Sequence, residues 1–120
     1  MLNLDTHVVV YALAGEATAA EKKLLAKHSW GISAIVLWEL EMLFRLKRIS
    51  MDPQKGAFAS VLSRMEVFPI TAAVVGRLRD LDFTSDPVDE LIAATSLLLG
   101  VPLVTRDRKI RGSKCVPIAR

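Results

Sequence analysis

The 120 residues suffice for one domain with one core and are too few for two. Just over half are apolar (52%) and 24% are charged, a globular balance that excludes a disordered chain, and no apolar run approaches the roughly 18 residues of a membrane span. The net charge of +3 is modest but unevenly placed, with six basic residues and one acid between Arg106 and Arg120.

In chain order, "MLNL" predicts a short strand and "THVVVYALA" a helix that ends at Gly15. A second helix is expected from about Thr18 to His28, with Leu24 and Leu25 facing inward. "WGIS" reads as a short strand or turn, after which Ser33 can cap a long helix, "AIVLWELEMLFRLKRI". Asp52-Pro53 is expected to open another helix, with Asp as cap and Pro at the first helical position. "EVFPI" reads as a strand, and Thr71 starts "AAVVGRLRDLDF", an amphipathic helix. Asp86-Pro87 opens a helix that ends at Gly100, "VPLVT" is a strand, and "CVPIA" is a last one. Strands alternating with helices predict one α/β domain over residues 1–120, a mostly parallel central sheet covered by helices on both faces. The acid in "MLNLDTHVVV", where a secretory leader carries positive charge, predicts a cytoplasmic protein. The single Cys115 fits a reducing compartment and reads as a small core residue.

Most of the 13 acids have plain structural roles. Glu16 and Glu21 read as surface positions near helix ends, Asp80 and Asp82 lie among Arg77 and Arg79, and Glu41 belongs to a charge-paired stripe with Arg45 and Arg48. Glu39 is different: its helical neighbours Ile35, Met42, Leu43 and Leu46 are apolar, and an unpartnered inward carboxylate is expensive. Asp5 follows an apolar strand and precedes an apolar helix, although a cap before Thr6 would also account for it. Asp107 follows "PLVT" by one residue, and a turn aspartate paired with arginine is its ordinary role. "MDPQK" and "SDPVD" share an Asp-Pro start, so Asp86 is chiefly a cap; Asp89 is less fully explained, and Glu90 points further round into solvent.

Parallel sheets bind ligands at the carboxyl ends of their strands, where Asp5 and Asp107 are expected. Four carboxylates gathered there would repel one another, so either their pKa values rise or a cation holds them. Oxygen ligands with no His or Cys cluster select Mg²⁺ or Mn²⁺, and such a site suits phosphodiester hydrolysis. His7 and His28 have no ligand spacing and read as ordinary. The basic run Arg106, Arg108, Lys109, Arg111 and Lys114 would suit a polyanion, though a solvated loop also explains it.

"LNLDTHVVVYAL", "ISAIVLWELEML" and "DPVDELIAATSLLLGVPLVTRD", in that order, resemble a PIN-domain ribonuclease of the VapC toxin type over nearly the whole chain. The resemblance implies a three-layer α/β/α fold and an acidic cluster that binds Mg²⁺ or Mn²⁺ and cleaves RNA. Carried across, the cluster is Asp5, Glu39, Asp89 and Asp107, with Thr6 and Thr105 as supporting hydroxyls and Asp86 as an extra acid. It also implies a protein antitoxin as partner and a homodimer. One departure stands out: relatives with this Asp-Pro often continue with Phe and an Asp-Arg pair, whereas here Val88, Asp89 and Glu90 follow. A rival reading of the same fold is an acidic module that binds a basic partner segment without catalysis. A haloacid-dehalogenase-like phosphatase needs a second Asp where His7 stands, and a receiver domain needs an early acid pair and a late Lys, so both rank last.

Overall fold

The computed structural model describes residues 1–120. Four strands, β1 (Leu2–Leu4), β2 (Trp30–Ser33), β3 (Glu66–Phe68) and β4 (Leu103–Val104), form one sheet in the order β3-β2-β1-β4. Every pairing is parallel: Leu2 lies beside Trp30, Asn3 beside Leu103 and Ile32 beside Val67. Helices cover both faces, and the chain has the three-layer α/β/α architecture expected of it.

The centre of the sheet is β1, and all three of its residues are buried, as a strand covered on both faces must be. Its one polar residue, Asn3, donates through Nδ2 to the Ile92 carbonyl (3.1 Å) and to Ser96 Oγ (2.9 Å), which fastens the strand to the helix above. That helix, α6 (Pro87–Leu99), has a well-formed start and stop. Asp86 accepts the Asp89 N–H at 3.0 Å, Pro87 occupies the first turn, and Gly100 closes the helix in the left-handed region (φ 68°). Ile92 through Ser96 are all buried, so this helix lies deep in the molecule.

The first helix, α1 (Thr6–Leu13), follows β1 directly. In α2 (Ala19–Lys27), Thr18 and Glu21 form a reciprocal capping box. Ser33 caps α3 (Ala34–Arg45) by accepting the Ile35 N–H at 3.3 Å. Gly31 in β2 allows the Phe68 ring of β3 to lie against the strand: a Cβ there would meet ring atoms at 2.5 and 2.6 Å. One apolar core runs through both layers, from Val8 and Val9 of α1 through Val36 and Leu40 of α3 to Ile92, Ile110 and Val116.

Several sequence expectations fail in detail. Asp52-Pro53 starts no helix; Asp52 Oδ1 accepts the Gln54 N–H in a turn, and α4 (Gly56–Ser63) begins beyond it with Gly56 at φ 60°. A left-handed residue there stops helical geometry from running back to Pro53. The long helix after Ser33 ends at Arg45, because Lys47 adopts φ 59°. "AAVVGRLRDLDF" divides into α5 (Ala72–Gly76) and a 3₁₀ turn, Arg77–Asp80. "CVPIA" makes only a single bridge, Ile118 beside Leu103, and Cys115 sits half-buried in a turn where its thiol and the Ser113 hydroxyl both contact Asp82 Oδ1. A short α7 (Arg108–Arg111) was not anticipated.

Candidate active site

The sheet order places a switch point between β1 and β4, where the chain progresses to one side from β1 through β2 to β3 and then returns to the other. Crevices form at the carboxyl ends of strands at such points. Asp5 follows β1 there, and Thr105, Arg106 and Asp107 follow β4. Glu39 arrives from the second turn of α3 and Asp89 from the first turn of α6. Asp5, Glu39, Asp86, Asp89 and Asp107 all line one cleft of about 300 Å³.

Asp5 is buried (7% exposed) and precedes α1 without capping it: its side chain makes no cap hydrogen bond. Its Oδ2 instead accepts the Thr105 hydroxyl at 2.7 Å, and Oδ1 is buried with no partner. The Asp107 N–H donates to the same Thr105 Oγ at 3.1 Å, so one hydroxyl ties the two strand-end acids together. Asp107 is not paired with arginine. It caps α7 through Oδ1, which accepts the N–H groups of Lys109 (2.8 Å) and Ile110 (3.2 Å). Glu39 is half-buried on α3, and its Oε1 is a second buried carboxylate oxygen without a donor.

Burial, then the nearby charges of Asp5 and Asp86, push the Asp89 carboxyl up to about 7, while the Ser85 hydroxyl at 3.1 Å opposes them. Burial also raises Asp5, against the Thr105 hydrogen bond and His7. Both carboxyls are raised chiefly by burial; neighbouring acids are the next largest cause at Asp89 and a minor one at Asp5. Thr6 is buried with an unpartnered hydroxyl, and so gives the cluster no hydrogen bond, unlike Thr105. The acids share the cleft without convergence: no three lie close enough to form a ready-made ligand set for an ion.

Glu90 is less solvated than its position round the helix suggests. It is half-buried, and its Oε2 accepts the Ser85 N–H at 2.8 Å. Together with the Asp86 cap it fastens the turn before α6. Glu21 is buried rather than on the surface, and its carboxylate takes Arg106 at 2.8 Å to each oxygen. That hydrogen-bonded partner lowers the Glu21 pKa. Arg106 also lies over the Tyr11 ring, 3.7 Å from its centroid, so it forms a fixed wall of the cleft. Among the other basic residues, Lys109 Nζ donates to the Thr84 carbonyl (2.9 Å), Arg111 donates to the Thr105 carbonyl (3.1 Å), and Lys114 is exposed. Glu41 forms no ion pair with Arg45.

Two polar cleft residues escaped the sequence reading: His7 and Tyr11 both line the acidic pocket. Their signal was spacing, since positions 7 and 11 lie one helical turn apart on α1, on the face that follows Asp5.

A parallel sheet with carboxylates at its switch point defines an α/β protein with an acidic cleft at the strand ends. The family model of the PIN domain matches residues 3–112, and the chain belongs to that family. Ribonuclease VapC22 of Mycobacterium tuberculosis is 29% identical over 117 residues, which span 92% of this chain and 90% of the relative. Among solved structures, VapBC2 from Rickettsia felis bound to a DNA fragment from its promoter has a TM-score of 0.74 at 23% identity, covering 99% of this chain and 98% of that one. FitAcB from Neisseria gonorrhoeae has a TM-score of 0.73 at 20% identity, covering 100% and 97%. These structures share the fold. No helix of the chain is long and apolar enough to cross a membrane.

Proposed function

We propose that the chain is a divalent-metal-dependent endoribonuclease, the toxin of a toxin–antitoxin pair, with Asp5, Glu39, Asp89 and Asp107 as its acidic cluster. One observation carries this reading: four carboxylates from four separate elements line a single strand-end cleft, and two of their buried oxygens, Asp5 Oδ1 and Glu39 Oε1, have no protein donor. A buried carboxylate oxygen without a donor is costly unless a cation or ligand completes it. Oxygen donors alone suit Mg²⁺ or Mn²⁺, and Asp5, Glu39, Asp89 and Asp107 are the residues that would hold such an ion once drawn together by it. When bound, such an ion lowers the pKa of a coordinated water and offsets charge on the phosphoryl oxygens.

The protein's own groups then divide the work. Thr105 holds Asp5 Oδ2, which leaves Oδ1 without a protein partner and open to a cation. Asp107 spends Oδ1 on α7 and keeps Oδ2 free of protein donors. The Asp89 carboxyl, raised to about 7 by burial and then by Asp5 and Asp86, would ionise more readily with a cation in the cleft. Arg106, fixed by Glu21 and Tyr11, sets a positive charge on the rim where an RNA phosphate approaches. Arg108, Lys109, Arg111 and Lys114 extend that charge away from the cleft.

The likeness to ribonuclease VapC22 and to the VapBC2 structure supports an antitoxin partner; a homodimer rests on the family resemblance of the sequence alone. Incubation with RNA and Mn²⁺ tests the activity: cleavage is expected, and EDTA should abolish it. Asp5→Asn and Asp89→Asn should each lower the rate by at least about 100-fold with unchanged circular dichroism. Full activity in both variants would sink the assignment. The rival acidic binding module predicts no chelator-sensitive cleavage. Glu90 adds an acid beside the cluster that such a module could use, but its Oε2 is engaged by the Ser85 N–H at the start of α6.

A further inference from the structure

A second cavity, about 470 Å³, adjoins the acidic cleft and has the opposite charge. Arg106 lines both. Beyond it the cavity carries Arg108, Arg111 and Arg120, with Thr18 at the rim. Glu21 is its one carboxylate, and Arg106 already takes both oxygens of that group. The remaining guanidiniums are lightly committed. Arg111 donates to the Thr105 carbonyl, Arg120 donates to the Arg111 carbonyl at 3.0 Å, and Arg108 makes no protein hydrogen bond. Each guanidinium has five N–H donors, so most of them remain open to a ligand.

The covalent connection to the acidic cleft is short. Thr105 places its hydroxyl on Asp5 and its carbonyl on Arg111, and Asp107 caps the helix that carries Arg108 and Arg111. Two sites of opposite charge are thus built on one tripeptide. Clustered guanidiniums match phosphate oxygens in geometry as well as charge.

We propose that this cavity is a phosphate subsite, which holds an RNA backbone phosphate next to the scissile one by means of Arg108, Arg111 and Arg120. The subsite rests on the ribonuclease reading of the acidic cleft. It makes the substrate a strand that continues past Arg106, and it distinguishes Arg108, Arg111 and Arg120 from Lys109 and Lys114, which lie outside the cavity.

The test uses the Arg108→Ala/Arg120→Ala double variant, neither of whose residues lines the acidic cleft. Binding of a short labelled single-stranded RNA is measured by fluorescence anisotropy in EDTA over a range of salt concentrations. Affinity should fall about tenfold, and the log–log salt slope should become shallower by roughly 1.4, two contacts at about 0.7 each on a single strand. With Mn²⁺, KM should rise by the same factor while kcat holds. Arg108→Lys/Arg120→Lys should recover most of the binding, which loss of structure would not allow. Unchanged affinity and slope in the double alanine variant overturn the subsite. Unchanged RNA binding together with lost binding of poly-glutamate also overturns it, in favour of an acidic protein segment. If the RNA-binding loss occurs but the wild-type protein cleaves no RNA in Mn²⁺, the ribonuclease reading fails and the phosphate site stands.

Discussion

Asp89 behaves differently in the folded and unfolded chain. Its pKa is raised from an ordinary 3.8 to about 7, chiefly by burial and then by Asp5 and Asp86. Between those values the metal-free folded protein keeps a proton that the unfolded chain has released. The associated stability is present in full below about pH 3.8 and is lost as pH rises through about 7. Glu21 acts in the other direction, since its depressed pKa contributes stability that is lost only as pH falls below about 4.5. The Glu21 window barely overlaps that of Asp89, while Asp5, also raised by burial, acts in the same direction as Asp89. The metal-free protein should melt at a lower temperature at pH 8 than at pH 5.5, and Asp89→Asn should shrink that difference, leaving the share that belongs to Asp5. Circular-dichroism melts in EDTA check this; an unchanged difference in the variant would refute it. The same proton competes with a cation. Mn²⁺ affinity should therefore fall by up to about tenfold per pH unit below about 7, as titration calorimetry would measure.

Among elements, the two Asp-Pro turns show how far local sequence reaches. Both begin with an aspartate that accepts a nearby N–H, and only one leads straight into a helix. After Pro87 the apolar residues Val88, Leu91 and Ile92 recur at helical spacing, and Ile92 with Val88 packs into the core. After Pro53 come Gln54, Lys55 and Gly56, which have nothing to bury. The Asp-Pro turn was legible in both cases, but only Asp86 caps a helix, because only there does the following sequence have a face to bury. Glu90 is the converse case: its departure from relatives was visible, but its bond to the Ser85 amide depends on the fold of the turn. Glu90→Ala should cost about 1 kcal/mol, the usual worth of a helix-start cap, measured by urea denaturation. In β2, Gly31→Ala should cost about 1–3 kcal/mol by forcing the Phe68 ring away, and Phe68→Leu in the same chain should recover part of that loss.

At the scale of the molecule, the switch between β1 and β4 is what gathers the acids. Parallel strands align their carboxyl ends, so loops after β1 and β4 meet there, and helices starting at that edge bring their first turns to the same place. The cleft is consequently a product of topology more than of any local motif. Binding of an ion by the folded chain alone should stabilise the whole fold: Mn²⁺ at 100 times its Kd should add about 2.7 kcal/mol, and a thermal-shift titration should show the melting temperature rise with concentration. No shift with Mn²⁺ or Mg²⁺ at pH 8 would count against a metal site.

By itself the sequence determined the alternation of strands and helices, the caps at Ser33 and Asp86, the apolar neighbours of Glu39 on α3, and the resemblance to the PIN family. Those are properties of periodicity and short-range hydrogen bonding, which neighbouring residues settle among themselves. Only the tertiary structure decided that Glu21 is buried against Arg106, 85 positions away, and that Thr105 joins Asp5 to Asp107. It also decided that His7 and Tyr11 line the cleft and that the basic residues divide between a cavity and the open surface. Such contacts depend on which strand ends lie side by side, and no local pattern records the sheet order that brings them together.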